Sequence, residues 1–248
     1  MRKTVDLNCD MGEGFGADEA LMQHVTSVNI ACGAHAGDPN VMDTTVRLAK
    51  KYGVTVGAHP GFPDIAGFGR RMLQLSPDEI YRSMVYQIGG LAAFCKVHGV
   101  DMQHVKPHGA LYNLAAKDSD VAAAIARAVY DINPQLLLYG LAGGALISAG
   151  RQAGLHTASE VFADRTYQSD GALTPRSEAN AMVDSADGAI KQVTTMIEKG
   201  YVEATDGAQV PIKADTICVH GDGAHAVDFA KELRAALEQG KIDVRAIL

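Results

Sequence analysis

The 248-residue sequence predicts an α/β fold: a TIM-like (β/α) barrel of seven strands, with residues 1–248 forming one domain and a hairpin inserted near residues 201–213. Three observations carry that expectation. Short apolar or β-branched runs alternate with longer helical patterns, which calls for parallel strands joined by crossovers. Polar and glycine residues gather after nearly every run, whereas an open doubly wound sheet concentrates its site at one switch point. No repeat, linker or low-complexity stretch divides the chain, and its 47% hydrophobic and 21% charged residues suit one sizeable core.

The elements follow in order. TVDLNC at 4–9 and SVNIAC at 27–32 are the first two strands. A helix follows at 38–53, with Asp38 as its cap, Pro39 in the first turn and Gly53 as its stop. VTVGAH at 54–59 is the third strand, and a second helix starts where Ser76 caps, Pro77 fits the first turn and Glu79 completes a capping box. MQHVKP at 102–107, LLLYGL at 136–141, HTASEVF at 156–162 and TICVHG at 216–221 supply the other four strands. Between the last two, YVEATDGAQVPIKAD reads as a hairpin turning at Asp206-Gly207.

Composition excludes several classes. The formal charge of −7 comes without a basic run or interleaved aromatics, so a nucleic-acid partner is not expected. The start MRKTVDLNCD puts Asp6 and Asn8 where a signal peptide needs an unbroken apolar core. No segment is long and apolar enough to span a bilayer, so no membrane partner is expected and the chain reads as cytoplasmic. Cys9, Cys32, Cys95 and Cys218 form no C-x-x-C pair, which suits small, buried, reduced thiols. There is no Walker loop, no dinucleotide fingerprint and no G-x-S-x-G elbow. Acid–base, electrostatic or metal chemistry is what remains.

In a parallel barrel, the loops after the strands share one rim. The first strand delivers Asn8, Asp10 and Glu13 to it, the second His35 and Asp38, and the third His59 and Asp64. HVKPHGALYN puts His104, Lys106 and His108 on one face of an extended chain. EVFADR then adds Glu160, Asp164 and Arg165, and His220 and Asp222 close the set. Any one of these could cap a helix or brace a turn; together they point to a catalytic rim. Two loops have the make-up to hold an anion: PGFPDIAGFGRR, ending in Arg70 and Arg71, and YGLAGGALISAG, where glycines lead into a helix start. A charged Lys106 would steady negative charge on a carbonyl or phosphoryl oxygen, whereas a neutral one would act as base or nucleophile; the surrounding acids favour the charged form.

VDLNCDMGEGFG, NIACGAHAGDP, VGAHPGFPDIAGFGRR, HVKPHGALYN, EVFADRTY, DGALTPR and CVHGDGAHAV occur in that order from Asp6 to Val227. In these stretches the chain closely resembles the LamB/YcsF family, described as the A component of prokaryotic 5-oxoprolinase. The resemblance implies a barrel related to the glycoside hydrolase/deacetylase fold. It also implies ATP-dependent opening of 5-oxo-L-proline to L-glutamate together with subunits B and C, ATP being a co-substrate handled largely by those partners. On residue type, Asp10, His59, Lys106, His108 and Glu160 are the catalytic candidates. Asn8, Glu13, His35, Arg70, Arg71, Asp164, Arg165, His220 and Asp222 are the candidates for the lactam, with Arg70 or Arg71 suited to its carboxylate. The alternative is a metal-dependent amide hydrolase or deacetylase, with a divalent metal on His35, His59, His108 and His220 beside Asp10. A third reading is a non-catalytic protein that binds a small molecule and docks partners.

Overall fold

The structure, a computed structural model, describes residues 3–183, 185–219 and 225–247. Its elements run β1 (Thr4–Met11), α1 (Asp18–Leu21), β2 (Ser27–Ala31), α2 (Pro39–Tyr52), β3 (Thr55–His59), α3 (Pro77–His98), β4 (Met102–Val105), α4 (Gly109–Ala115) and α5 (Ser119–Ile132). They continue β5 (Leu137–Leu141), α6 (Ala145–Gln152), β6 (Thr157–Phe162), α7 (Ala186–Lys199), β7 (Tyr201–Glu203), β8 (Gln209–Pro211), β9 (Thr216–Val219), α8 (Ala226–Gln239) and β10 (Asp243–Val244). Strands β1, β2, β3, β4, β5, β6 and β9 pair in parallel in that order, and β9 returns to β1, closing a seven-stranded TIM-like barrel. β10, which the sequence pattern does not announce, pairs with the start of β1 through Thr4 and Val5.

Local chemistry explains the boundaries. Asp38 caps α2 by accepting from the Val41 N–H, and Gly53 ends it in the left-handed region at φ 66°. Ser76 and Glu79 form the capping box of α3, and Gly99 stops that helix in the same way. β7 and β8 pair antiparallel, and Gly207 at φ 85° lies in the residue 204–208 connection between them. That connection is longer than the two-residue turn which Asp-Gly alone suggests.

Alternation along the strands sorts the core into two parts. Leu7, Cys9, Val28, Ile30, Val56, Val105, Leu138, Val161 and Ile217 belong to one buried apolar cluster with helix residues such as Val46, Ile88, Ile125, Val193 and Leu233. Burial of each large side chain there contributes about 1.5–3 kcal/mol. The opposite strand faces fill the barrel, and most of what they bring is polar: Asp6, Asn8, Ser27, Asn29, His104, Lys106, Glu160 and Thr216 are all buried. No helix among the described residues is long and apolar enough to cross a membrane.

Candidate active site

The barrel interior is built in tiers, from the amino ends of the strands towards their carboxyl ends. At the bottom, Asp6 accepts hydrogen bonds from Thr26 (2.6 Å), Ser27 (2.8 Å), Thr216 (2.6 Å) and the Tyr139 hydroxyl (3.2 Å). Burial raises its pKa despite those donors. One tier up, Asn8 Nδ2 donates to Glu160 Oε1 (3.0 Å) and to the Thr216 hydroxyl (2.7 Å), while Asn29 Nδ2 donates to Asn8 Oδ1 (2.7 Å). His104 Nε2 donates to Asn29 Oδ1 (2.7 Å), and its ring stacks on Tyr139 with centroids 4.2 Å apart. Burial holds the His104 imidazole neutral, with its pKa lowered to about 3. Gly57 makes room for that ring, since a Cβ there would collide with His104 Nε2.

Lys106 forms the next tier. Its Nζ donates to Asp10 Oδ1 (2.9 Å), Glu160 Oε1 (2.8 Å) and Asn8 Oδ1 (3.2 Å), and lies 3.1 Å from Cys218 Sγ. Burial pulls this lysine towards a low pKa, but the carboxylates of Asp10 and Glu160 outweigh it and hold the ammonium well above its usual range. The charged form is therefore the resting one. Burial also pushes the Cys218 thiol well up, leaving it protonated.

Across the mouth lie the histidines. His59 Nδ1 donates to the Lys106 carbonyl (2.7 Å), and its Nε2 stands 3.3 Å from Asp10 Oδ2 and 3.0 Å from His108 Nδ1. Burial opposes charge on His59, yet Asp10 outweighs it and raises the pKa. His108 Nε2 donates to the Phe68 carbonyl (2.8 Å), which Phe68 at φ 54° and Gly69 at φ 60° turn towards it. His35 stacks on His108 with centroids 3.7 Å apart and donates from Nε2 to Glu13 Oε1 (3.0 Å). Burial lowers His35 to about 4; hydrogen bonds from His108 and His35 outweigh the burial of Glu13 and bring it down to about 2. Among the described residues, Glu13, His35, His59 and His108 place a potential ligand atom each within 4.8 Å of one another.

These tiers open into a cavity of about 410 Å³, lined among others by Asp10, Glu13, His59, Lys106, His108, Tyr112, Arg70, Arg165 and Arg176. Asn8, His35 and Glu160 stand behind that lining. Arg70 lies over the Phe68 ring at 5.0 Å and reaches the cavity. Arg71 instead binds Asp64, with Nε 2.9 Å from Oδ2. Arg165 reaches the cavity wall while donating to the carbonyls of Ala181 (3.3 Å) and Thr174 (2.5 Å). Asp164 is half-buried and outside the lining. At the start of α6 the Ala145 N–H is taken by the Ala116 carbonyl (2.9 Å), so that glycine turn faces α4. His220 and Asp222 lie outside the described residues.

Sequence reasoning misses Asn29, Tyr112, Arg176 and Cys218. Asn29 and Cys218 have one available signal, a polar or sulfur side chain alternating with apolar ones inside a strand run. Arg176 carries none beyond its charge.

Comparison with known proteins agrees with this architecture. The chain matches the LamB/YcsF family over residues 5–248. It is 59% identical to the 5-oxoprolinase A subunit of Geobacillus thermodenitrificans, over 99% of this chain and 97% of that protein. It is 56% identical to the protein of the same name from Bacillus subtilis, over 98% and 96%. The crystal structure of the lactam utilization protein from Thermus thermophilus superposes with a TM-score of 0.92 at 45% identity, covering 98% of this chain and all of that one. The chain is therefore a member of the LamB/YcsF family.

Proposed function

We propose that this chain is the A component of an ATP-dependent 5-oxoprolinase, opening 5-oxo-L-proline to L-glutamate with subunits B and C. The observation that carries the reading is the end-to-end likeness to proteins of that name, at up to 59% identity. The site's chemistry supports it. 5-Oxo-L-proline is a compact anion with a cyclic amide, and the cavity joins arginines at its wall to a buried ammonium at its base. Lys106 is placed to oppose charge developing on the amide oxygen, or on that oxygen once phosphorylated. The histidine–carboxylate group of Asp10, Glu13, His59 and His108 takes a proton from the water that adds to the carbonyl carbon and passes it to the ring nitrogen as the C–N bond breaks. Arg70 meets the substrate carboxylate. Glu160, Asn8 and His35 act behind the cavity wall by holding Lys106 and Glu13.

The chain works as one barrel domain in this reading, with the β7–β8 hairpin as an insertion. ATP is a co-substrate that subunits B and C handle, in keeping with the lack of a Walker loop in this sequence. The cytoplasm is the compartment assigned, and four buried, unpaired cysteines suit its reducing conditions. The test is glutamate formation from 5-oxo-L-proline and ATP by this chain alone and with purified subunits B and C. Turnover only in the mixture is expected; no turnover in any combination of folded components refutes the reading.

A further inference from the structure

We propose that His59, His108 and Glu13 hold one divalent transition-metal ion at the mouth of the barrel, with Asp10 beside it and His35 outside the ligand set. The ion's part in water activation rests on the 5-oxoprolinase reading; the ion-binding geometry stands apart from it.

Hydrogen positions come first. His59 Nδ1 and His108 Nε2 each face a backbone carbonyl, at 2.7 and 2.8 Å, and a carbonyl only accepts, so both nitrogens carry a proton. The other nitrogens, His59 Nε2 and His108 Nδ1, face each other across 3.0 Å, and in the neutral rings both present lone pairs. Two facing lone pairs need a positive centre between them, either a proton or a cation. Fixing the remote N–H on a carbonyl is also how a protein sets the tautomer and direction of a ligating histidine.

The 3.0 Å separation suits a shared proton, and the separations of the whole group bracket those around a bound cation. A tetrahedral ion with bonds of about 2.0–2.2 Å separates its ligand atoms by about 3.3–3.6 Å. Here His59 Nε2 is 3.0 Å from His108 Nδ1, 3.3 Å from Asp10 Oδ2 and 3.7 Å from Glu13 Oε1, and His108 Nδ1 is 3.2 Å from Glu13 Oε1. The rings of His59 and His108 stand at 84°, so both lone pairs can converge on one point. His35 cannot join them. Its ring is parallel to that of His108 within 2°, and the lone pairs of stacked parallel rings do not meet in one ion. It donates to Glu13 instead, as Lys106 does to Asp10, so each carboxylate is oriented from behind. The loop is shaped around this group: a Cβ on Gly61 would stand 2.7 Å from His35 Nδ1, and one on Gly69 2.9 Å from His108 Cδ2. Glu13, His59 and His108 line the cavity, and three protein ligands leave a fourth position open to water or substrate. Bound there, it would lower the pKa of a coordinated water to about 7.

The test uses the whole chain, purified without chelator or metal-affinity resin, stripped and then titrated with Co²⁺. Visible absorption reports the coordination, and elemental analysis after desalting reports the stoichiometry. One ion per chain is expected in the wild type, and none in His59→Gln or His108→Gln whose circular dichroism is native. His35→Gln should still take one ion, with affinity lowered about 10–100-fold. The proposal is overturned by folded wild-type protein that takes up no stoichiometric Co²⁺, Zn²⁺ or Mn²⁺ at neutral pH, a result needing no variant. It is overturned equally by uptake that survives loss of both His59 and His108, or by uptake abolished in His35→Gln. Lack of uptake with glutamate still formed in the three-component mixture would remove the ion and leave the function; uptake without glutamate would keep the ion and remove the function.

Discussion

The lower barrel and its mouth are built from similar residue types and behave differently. Around Asp6, each hydroxyl of Thr26, Ser27, Thr216 and Tyr139 has an acceptor, and none of these residues lines the cavity at the mouth. Around Lys106, three ionisable groups converge on one ammonium, and Asp10 and Lys106 both reach open space. Polarity alone therefore does not mark chemistry. What separates the two regions is a set of paired charges beside the open mouth, since a satisfied network away from it fixes geometry and has nothing left to give a substrate.

The largest expected effect is at the mouth. Asp10→Asn keeps the shape but removes the charge that supports Lys106 and His59, so glutamate formation should fall about 10²–10⁴-fold at little loss of folded protein. Near-normal rates would place the chemistry elsewhere. In the lower barrel the pattern should invert. Asp6→Asn aims an N–H₂ group into a ring of hydroxyl donors and should cost about 1–3 kcal/mol in urea unfolding, with turnover per folded molecule unchanged. A rate loss exceeding the stability loss would erase the distinction.

Arg70 and Arg71 sharpen it within one loop. Arg70→Ala should raise KM for 5-oxo-L-proline about 10–100-fold, the worth of a hydrogen bond to a charged group. Arg71→Ala, whose partner is Asp64, should stay within about twofold. Equal effects from the two would take the carboxylate contact away from Arg70.

The smallest effect is a pH slope. His104 is neutral in the fold with a pKa of about 3, well below its unfolded value of about 6.5. The unfolded chain thus binds the extra proton first on acidification. The stability His104 contributes is complete above pH ~6.5 and is lost as pH falls towards 3, by at most ~1.4 kcal/mol per pH unit. His104→Gln, which keeps an N–H donor near Asn29, should flatten that slope. An unchanged slope would show that other groups set the acid sensitivity.

Much of this arrangement is legible in the amino-acid sequence. The seven strand runs stand out because apolar stretches are bounded by Gly, Pro and Asp, and the helices at Asp38 and Ser76 because capping is local chemistry. Barrel topology then brings strand ends together, which is why Asp10, His59 and Lys106 can be named as neighbours. Contacts set by register are not legible. Asn29 sits in an apolar run, and its meeting with Asn8, Asp10 and His104 depends on three strands closing in one register. Arg70 and Arg71 are adjacent in a loop without period, so nothing local tells which one turns inward. β10 is two residues long, and only the completed barrel gives it a partner.

Lys106 is the residue on which the proposed chemistry most depends. Its removal alone would strand the buried Glu160 carboxylate, at a cost of about 3–5 kcal/mol, so the decisive variant is Lys106→Met with Glu160→Gln. The measurement is glutamate formed per folded molecule in the complete mixture with subunits B and C. A loss of about 10³-fold or more is the predicted result. Turnover within tenfold of wild type would contradict the assignment of Lys106 to the reacting oxygen.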